Sequence, residues 1–174
     1  MNEIIKINKL DAARRQLGTA IELWFNGADP VSVHTLASAA HEVVHSLLRA
    51  RGLEGLLFDH PRVREQYRSA WNRRMKEHYN FFKHADKDPL GELDFNPGIN
   101  EMLVLFVLAG VERLGETPNA NESAMGQWLA LHKPDLFHGS LEDTFDPEML
   151  DRVRALAKPE FFSTFVQMHR HIHS

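Results

Sequence analysis

The sequence contains no cysteine. Disulfides, iron–sulfur clusters and thiolate zinc sites are therefore excluded, and any bound metal must use histidine, aspartate or glutamate as a ligand. Long apolar runs are also missing, because the longest, Met102 to Ala109, is far too short to cross a bilayer. The N-terminal stretch MNEIIKINKLDAARR lacks the apolar core of a signal peptide, so we expect a cytoplasmic protein without membrane contact.

Sustained period-two alternation, which an exposed sheet needs, is absent as well. Apolar residues instead recur at helical spacing, and turn-forming residues separate the apolar stripes. Three pairs combine an N-cap acceptor with a proline at the first helical position: Asp29-Pro30, Asn96-Pro97 and Asp146-Pro147. Three glycines stand where helices should end: Gly27, Gly52 and Gly115.

These signals predict an all-α fold. The chain has 174 residues, 43% of them hydrophobic, which suits one domain with a substantial core. We predict a single-domain helical bundle covering 1–174, with about six or seven helices and no significant sheet. The expected helices span about 5–25, 30–51, 61–85, 97–114, 121–132, 146–157 and 159–171.

Histidine is abundant, with 11 residues in the chain. On a helix that turns about 100° per residue, His34, His41 and His45 fall within an arc of about 40° beside the apolar face. Imidazoles at i and i+4, such as His41 and His45, lie one above the other and can grip one metal ion. The stripe predicts a histidine-lined polar pocket that binds a divalent metal such as zinc. The alternative is a set of edge-of-core histidines hydrogen-bonded to their neighbours.

Two imidazoles alone make a weak metal site, so a third ligand must come from another helix. His34 lies roughly 10 Å from His41 at 1.5 Å rise per residue, which is too far to complete a tight metal site with His41 and His45. We therefore expect His34 to support a ligand or to have a separate role in the pocket. We therefore expect His84, Glu101 or Asp86 to complete the site. The candidate metal ligands are His41, His45, His84 and His34.

The segment His41-Glu42-Val43-Val44-His45 resembles the HExxH helix of the zincin metalloproteases. In that family the glutamate is the general base, so the resemblance implies a catalytic role for Glu42. It covers these residues only. The metzincin continuation would need a glycine and a third histidine where this chain has Leu48 and Arg51. Zincins also bind substrate along a sheet edge, and no sheet is expected here.

A second motif, NFFKHADKDP at 80–89, closes the third expected helix. It resembles a motif of uncharacterised all-helical bacterial proteins, which also carry a segment like ADPVSVHTLA at 28–37. This resemblance covers about the middle half of the chain. It implies an all-helical fold and supplies no activity.

The same motif is similar to the Arg-Asn-x-x-x-His signature of HEPN domains, which are helical ribonucleases and toxins that often act as dimers. In that family the arginine and the histidine converge on the RNA phosphate. The resemblance therefore implies an RNA-binding or RNA-cleaving protein, and a homodimer, with Asn80 and His84 in the signature. The sequence departs from the signature at the arginine position, where it has Tyr79. Other side chains of the helix offer a displaced version: Arg73, Arg74 and His78. The catalytic candidates from both resemblances are Glu42, Arg74, His78 and His84.

Charge is unevenly distributed along the chain. Residues 88–151 carry 2 basic and 13 acidic side chains, a balance of −11, whereas the whole chain has a net charge of −4. Such asymmetry indicates either an interaction surface or a solvated acidic face. The third hypothesis is thus a protein-interaction module without catalytic activity, in which both motifs are structural. His132, next to the Lys133-Pro134 turn, is expected to face water.

Overall fold

The computed structural model describes residues 4–53, 65–84, 86–137, 141 and 144–172. This part of the chain is all-helical and contains no strand, which confirms the predicted fold class. A short 3-10 helix, Pro134–Leu136, accompanies the α-helices. The α-helices are α1 (Lys9–Phe25), α2 (Pro30–Ala50), α3 (Glu65–Lys83), α4 (Ile99–Arg113), α5 (Ala120–His132), α6 (Pro147–Arg154) and α7 (Lys158–Ile172).

The helix boundaries follow the expected local signals. The side chains of Asp29 and Asp146 accept backbone N–H groups of the first turns of α2 and α6, each directly before a proline. α4 begins later than predicted, at Ile99, because the Asn96 side chain accepts the Gly98 N–H at 3.0 Å and stabilises a turn there. Three glycines close helices with positive φ, a region in which L side chains are strained: Gly27, Gly52 and Gly115.

α2 is the helix around which one half of the molecule packs, since it contacts α1, α3 and α4. The other half is built on α5, which contacts α1, α4, α6 and α7. α4 buries Leu103, Val104 and Val107 completely or nearly so. Its run of apolar residues therefore lies mostly in the interior, although Met102 is 41% exposed. None of the described helices combines the length and the apolar character that crossing a bilayer requires.

Aromatic rings join α1, α5 and α7. Trp128 packs edge-on against Phe25 at 5.6 Å and against Phe161 at 5.0 Å between ring centroids. The Lys158 Nζ lies 3.4 Å above the centroid of the Trp24 ring. Aromatic pairs of this kind add about 0.5–1.5 kcal/mol beyond the area they bury, so this cluster is a main source of stability for the half built on α5.

An ion pair fixes α1 to the start of α5. Arg14 donates to both carboxylate oxygens of Glu122, at 2.9 and 2.6 Å, and Glu122 is 2% exposed. The same carboxylate accepts the Asn119 N–H at 2.8 Å, and the Asn119 side chain accepts the Glu122 N–H in return. Glu122 is thus both the partner of a long-range guanidinium and part of the capping box of α5.

Candidate functional site

Four polar side chains recur along one face of α3. Their positions, i, i+4, i+7 and i+11, place them in one row on a helix. With Phe81 and a segment that follows the helix, they line an open groove of about 750 Å³, which we call the α3 groove. The row consists of Arg73, Glu77, Asn80 and His84. The segment contributes Lys87, Asp88, Glu92 and Leu93.

His84 stands at the C-terminal end of this row. Its backbone N–H donates to the Asn80 carbonyl at 3.0 Å, which extends the hydrogen-bonding pattern of α3 past its last helical residue. The Lys87 N–H then donates to the His84 carbonyl at 3.3 Å, so the chain turns directly after the imidazole. This turn places the Asp86 Oδ1 3.8 Å from the His84 Nδ1. The His84 side chain remains 34% exposed and accessible from the groove.

The Asp88 carboxylate can occupy its place in the groove wall because residue 91 is a glycine. In the Asp88-Pro89-Leu90-Gly91 turn, the Gly91 N–H donates to the Asp88 carbonyl at 3.2 Å. The Asp88 carboxylate folds over Gly91 so closely that a Cβ at position 91 would overlap it. The position of this carboxylate therefore depends on glycine at 91.

The α3 groove combines charges of both signs. Arg73 and Lys87 provide two cations, whereas three carboxylates, of Glu77, Asp88 and Glu92, lie in the same lining. Phe81 and Leu93 add apolar surface, and both are partly buried. The groove therefore offers a carboxylate base, an imidazole and two cationic groups beside an aromatic ring, without the strong positive potential of a general polyanion-binding surface.

Of the three catalytic candidates whose side chains the structure describes, His84 is the one that lines this groove. Glu42 lies on α2, and its Oε1 is 3.4 Å from the Lys76 Nζ. Its side chain lines a separate cavity of about 420 Å³. His78 lies in a different cluster, against the ring of His34. The side chain of Arg74 lies outside the described residues. The displaced signature is thus represented in the groove by Arg73.

His34 belongs to a buried hydrogen-bonded network, and it is 1% exposed. Its Nδ1 lies 2.9 Å from the Asn100 Oδ1, and the Asn100 Nδ2 donates to the Pro30 carbonyl at 3.0 Å. Because a carbonyl oxygen only accepts, the Asn100 amide must present its Oδ1 to His34. The neutral His34 ring therefore carries its proton on Nδ1 and its lone pair on Nε2.

Aromatic rings surround His34. The centroid of the Phe95 ring lies 5.2 Å away, that of Phe82 5.7 Å and that of His78 5.8 Å. Burial lowers the pKa of His34, the hydrogen bond that its Nδ1 donates to Asn100 raises the pKa, and the neighbouring His78 lowers it further. The net direction is downward. His34 is therefore neutral at physiological pH, in the tautomer that Asn100 selects.

His41 and His45 pack together on the next turns of α2. Their rings are stacked, with centroids 6.1 Å apart and an interplanar angle of 14°. His41 is 1% exposed. Burial, and then the positive potentials of His45 and Lys76, lower the pKa of His41 to about 3. The histidine stripe therefore lies against the core, as its position on the helix indicates, and His41 is uncharged across the physiological range.

The third ligand expected for these two histidines does not join them. Glu101 pairs with Lys133, whose Nζ lies 3.7 Å from its carboxylate, and both His84 and Asp86 lie at the end of α3. Within the described ranges, no group of three or more His, Asp or Glu side chains is arranged to hold a metal ion. Divalent metal binding by the stripe stays a prediction, without support from this part of the chain.

Sequence reasoning missed three of the groups that build these sites. Asn100 and Phe95 hold His34, yet neither belongs to a motif, and their contact with α2 depends on how the chain returns after α3. Glu77 could have been found, since it shares the helical row of Arg73 and His84.

No protein-family model matches this chain, and neither curated proteins nor solved structures show a significant similarity to it. The resemblances to the zincin helix, to the HEPN signature and to the NFFKHAD proteins therefore rest on the motifs alone.

Proposed function

We propose that the α3 groove binds single-stranded RNA and cleaves its backbone by transesterification. The observation that carries this proposal is the presence of Glu77, His84 and two cations in one open groove. Cleavage of RNA by its own 2′-hydroxyl needs a base, an acid and positive charge at the phosphate, and it needs no metal ion or cofactor.

Glu77 acts as the general base and His84 as the general acid. Glu77 removes the proton of the ribose 2′-hydroxyl, and the 2′-oxygen attacks the adjacent phosphorus. The bond from phosphorus to the 5′-oxygen breaks, and protonated His84 gives its proton to that leaving oxygen. The products are a 2′,3′-cyclic phosphate and a free 5′-hydroxyl. After the step Glu77 carries the proton of the 2′-hydroxyl, and His84 has lost its own proton.

The spacing along α3 supports these roles. Glu77 and His84 are seven positions apart, or about 10 Å along the helix axis, so they approach a phosphodiester between them from opposite sides. Arg73 and Lys87 supply the positive charge that stabilises the pentacovalent transition state. Phe81 lies between the acid and the base along the helix and offers a face on which a nucleobase can stack, a contact worth about 1–3 kcal/mol.

The test is cleavage of a fluorescent single-stranded RNA oligonucleotide by protein purified without an affinity tag. Removing a general acid costs about 10²–10⁴ in rate, so His84→Ala should lose cleavage to that extent. His171→Ala, which changes an exposed histidine at the end of α7, is the matched control and should retain the wild-type rate. A substrate with a single 2′-deoxy nucleotide should resist cleavage at that position.

The chelator EDTA should leave the rate unchanged, because the reaction needs no metal ion. Binding should depend only weakly on salt. With two cations in the groove, the logarithm of the binding constant should fall with a slope of about −1.4 against the logarithm of salt concentration. Failure of the wild-type protein to bind or cleave single-stranded RNA at low salt would remove this function, as would an unchanged rate in His84→Ala.

A further inference from the structure

An apolar groove that the proposed RNA chemistry does not use lies between α4 and α5. It has a volume of about 570 Å³, and we call it the α4–α5 groove. Its apolar lining comes mainly from α4 and from the stretch that follows α5: Leu105, Phe106, Leu108, Ala109, Leu136 and Phe137. Leu136 is 57% exposed and Phe137 is 37% exposed. Apolar side chains that lie together at the surface indicate a place where another molecule binds.

The α5 side of this groove contains a glycine in the middle of a helix. Gly126 stands halfway along α5, where glycine is less favourable than alanine. A Cβ at this position would meet no described atom within 4 Å, so the packing of the described chain does not require glycine there. Gly126 instead leaves the α5 backbone open to the groove, which allows a second helix to approach closely.

The dimensions of the groove fit two turns of a helix. Its α4 wall extends from Leu105 to Glu112, which is about 10 Å along the helix axis. Apolar residues at i, i+3 and i+7 of a docked helix span the same length. Both walls are helices whose backbone groups are bonded within the helix, so the groove offers no free strand edge to an extended chain.

This chain carries a helix with an exposed apolar face, at the end of α7. Four apolar residues of α7 lie on one face, at i, i+4, i+7 and i+11: Phe161, Phe165, Met168 and Ile172. Phe161 is fully buried, and the Phe165 ring stacks on it with centroids 4.2 Å apart. Met168 is 52% exposed and Ile172 is 72% exposed. The face that attaches α7 to the core therefore continues to the end of the helix, where it is left exposed.

The charges of the two surfaces are complementary. The charged residues of the α4–α5 groove are both acidic: Glu112 and Glu122. Arg14 neutralises Glu122, whereas Glu112 is exposed and forms no ion pair within the part of the chain that the structure describes. Residues 152–174, which include α7, carry 4 basic side chains and 1 acidic one, and Arg170 lies in the exposed last turn of the helix. The end of α7 therefore matches the groove in charge as well as in apolar character.

We propose that two copies of this chain form a dimer in which the end of α7 of each copy binds in the α4–α5 groove of the other. Met168 and Ile172 then move from water into the apolar lining, and Arg170 adds charge complementarity. Reciprocal contacts close the assembly with two-fold symmetry, which is the commonest arrangement of homo-oligomers. The α4–α5 groove shares no lining residue with the α3 groove, so this proposal and the RNA chemistry are tested separately.

Analytical ultracentrifugation of the full-length protein without a tag measures the assembly, and we expect a particle of two chains. Gly126→Leu places a side chain in the open space of the groove, and Ile172→Asp places a charge where the contact is apolar. Each variant should weaken dimerisation at least about 100-fold, or roughly 10-fold for each of the two contacts. Gln167→Asp adds the same charge at an exposed position away from this face of α7, and as the matched control it should dimerise like wild type.

A mixture of the two variants distinguishes a lost contact from a lost fold. The intact α7 end of the Gly126→Leu chain can still bind in the open groove of the Ile172→Asp chain, so one of the two contacts is complete. We expect the mixed dimer to be roughly 10-fold tighter than either variant with itself, because the contributions of separate contacts add. The proposal is overturned if the wild-type protein stays monomeric up to about 100 μM, if either variant dimerises as tightly as wild type, or if the mixture associates no more tightly than the separate variants.

Discussion

Replacing His41 by leucine should remove a large part of the acid sensitivity of this protein. His41 is 1% exposed, and burial, His45 and Lys76 lower its pKa from the usual 6.5 to about 3. In the unfolded chain the same imidazole titrates near 6.5. Between pH 6.5 and pH 3 the unfolded state therefore binds a proton that the folded state does not. Stability from this group is fully present above pH 6.5 and is lost as the pH falls toward 3.

The magnitude follows from the two pKa values. At pH 5 the unfolded state gains about 2 kcal/mol from protonation of this histidine, while the folded state gains almost nothing. This figure hardly changes for any folded pKa below about 4, because the unfolded imidazole sets it. Below pH 3 the full shift amounts to about 5 kcal/mol. The pKa of His34 is also lowered by burial, so the wild-type protein should lose more than the His41 contribution alone.

Urea unfolding at pH 8 and at pH 5 measures this contribution as a difference between proteins. The loss of unfolding free energy between the two pH values should be about 2 kcal/mol smaller in His41→Leu than in wild type. His171→Leu, which changes an exposed histidine, should behave as wild type. Equal losses in wild type and His41→Leu would show that His41 is not held neutral in the folded protein, and the burial argument would be refuted.

Two further predictions follow from named contacts. Arg14→Met should lower the free energy of unfolding by about 3 kcal/mol, because it leaves the buried Glu122 carboxylate without its guanidinium partner. This is the lower end of the range for breaking a buried ion pair, chosen because Arg14 is itself 20% exposed. A loss below about 1 kcal/mol in urea unfolding would contradict this. Asp88→Asn removes one negative charge from the α3 groove and should tighten RNA binding up to about fivefold, or about 1 kcal/mol. Fluorescence anisotropy measures this affinity, and weaker binding by the variant would contradict an anionic ligand.

The helical fold was predictable because its signals are local. An N-cap residue, the proline after it and a glycine at the far end act within one turn, as the boundaries of α2 show. The late start of α4 has the same local character, since the Asn96 side chain stabilises a turn before Ile99. The helix against which each helix packs is not determined by such local signals. The pairing of Arg14 with Glu122 joins residues 108 positions apart, and the capping box to which Glu122 belongs gives no indication of this distant partner.

The environment of each histidine was less predictable than the helix that carries it. Periodicity places His34, His41 and His45 on one stripe, yet His34 meets Asn100 of α4 and His41 stacks on His45. Neighbouring positions on one helix contact different elements, and helical period carries no information about those elements. His132 shows the same effect, because it was expected in water but stacks on Trp128 at 3.8 Å between ring centroids. Helical periodicity predicts the face of the helix on which a histidine lies. The residues that pack against that face determine the environment of the imidazole.

The segment after α3 connects the α3 groove with the buried rings of His34 and His78. Lys87, Asp88 and Glu92 in this segment form one wall of the α3 groove. A few residues later, Phe95 packs against the rings of His34 and His78, at 5.2 and 5.4 Å. α3 contributes to both regions as well, with His84 in the groove and His78 against the ring of His34. The aromatic cluster is therefore a contact between the segment that forms the groove wall and α2, and Phe95 is the residue of that segment that packs against His34.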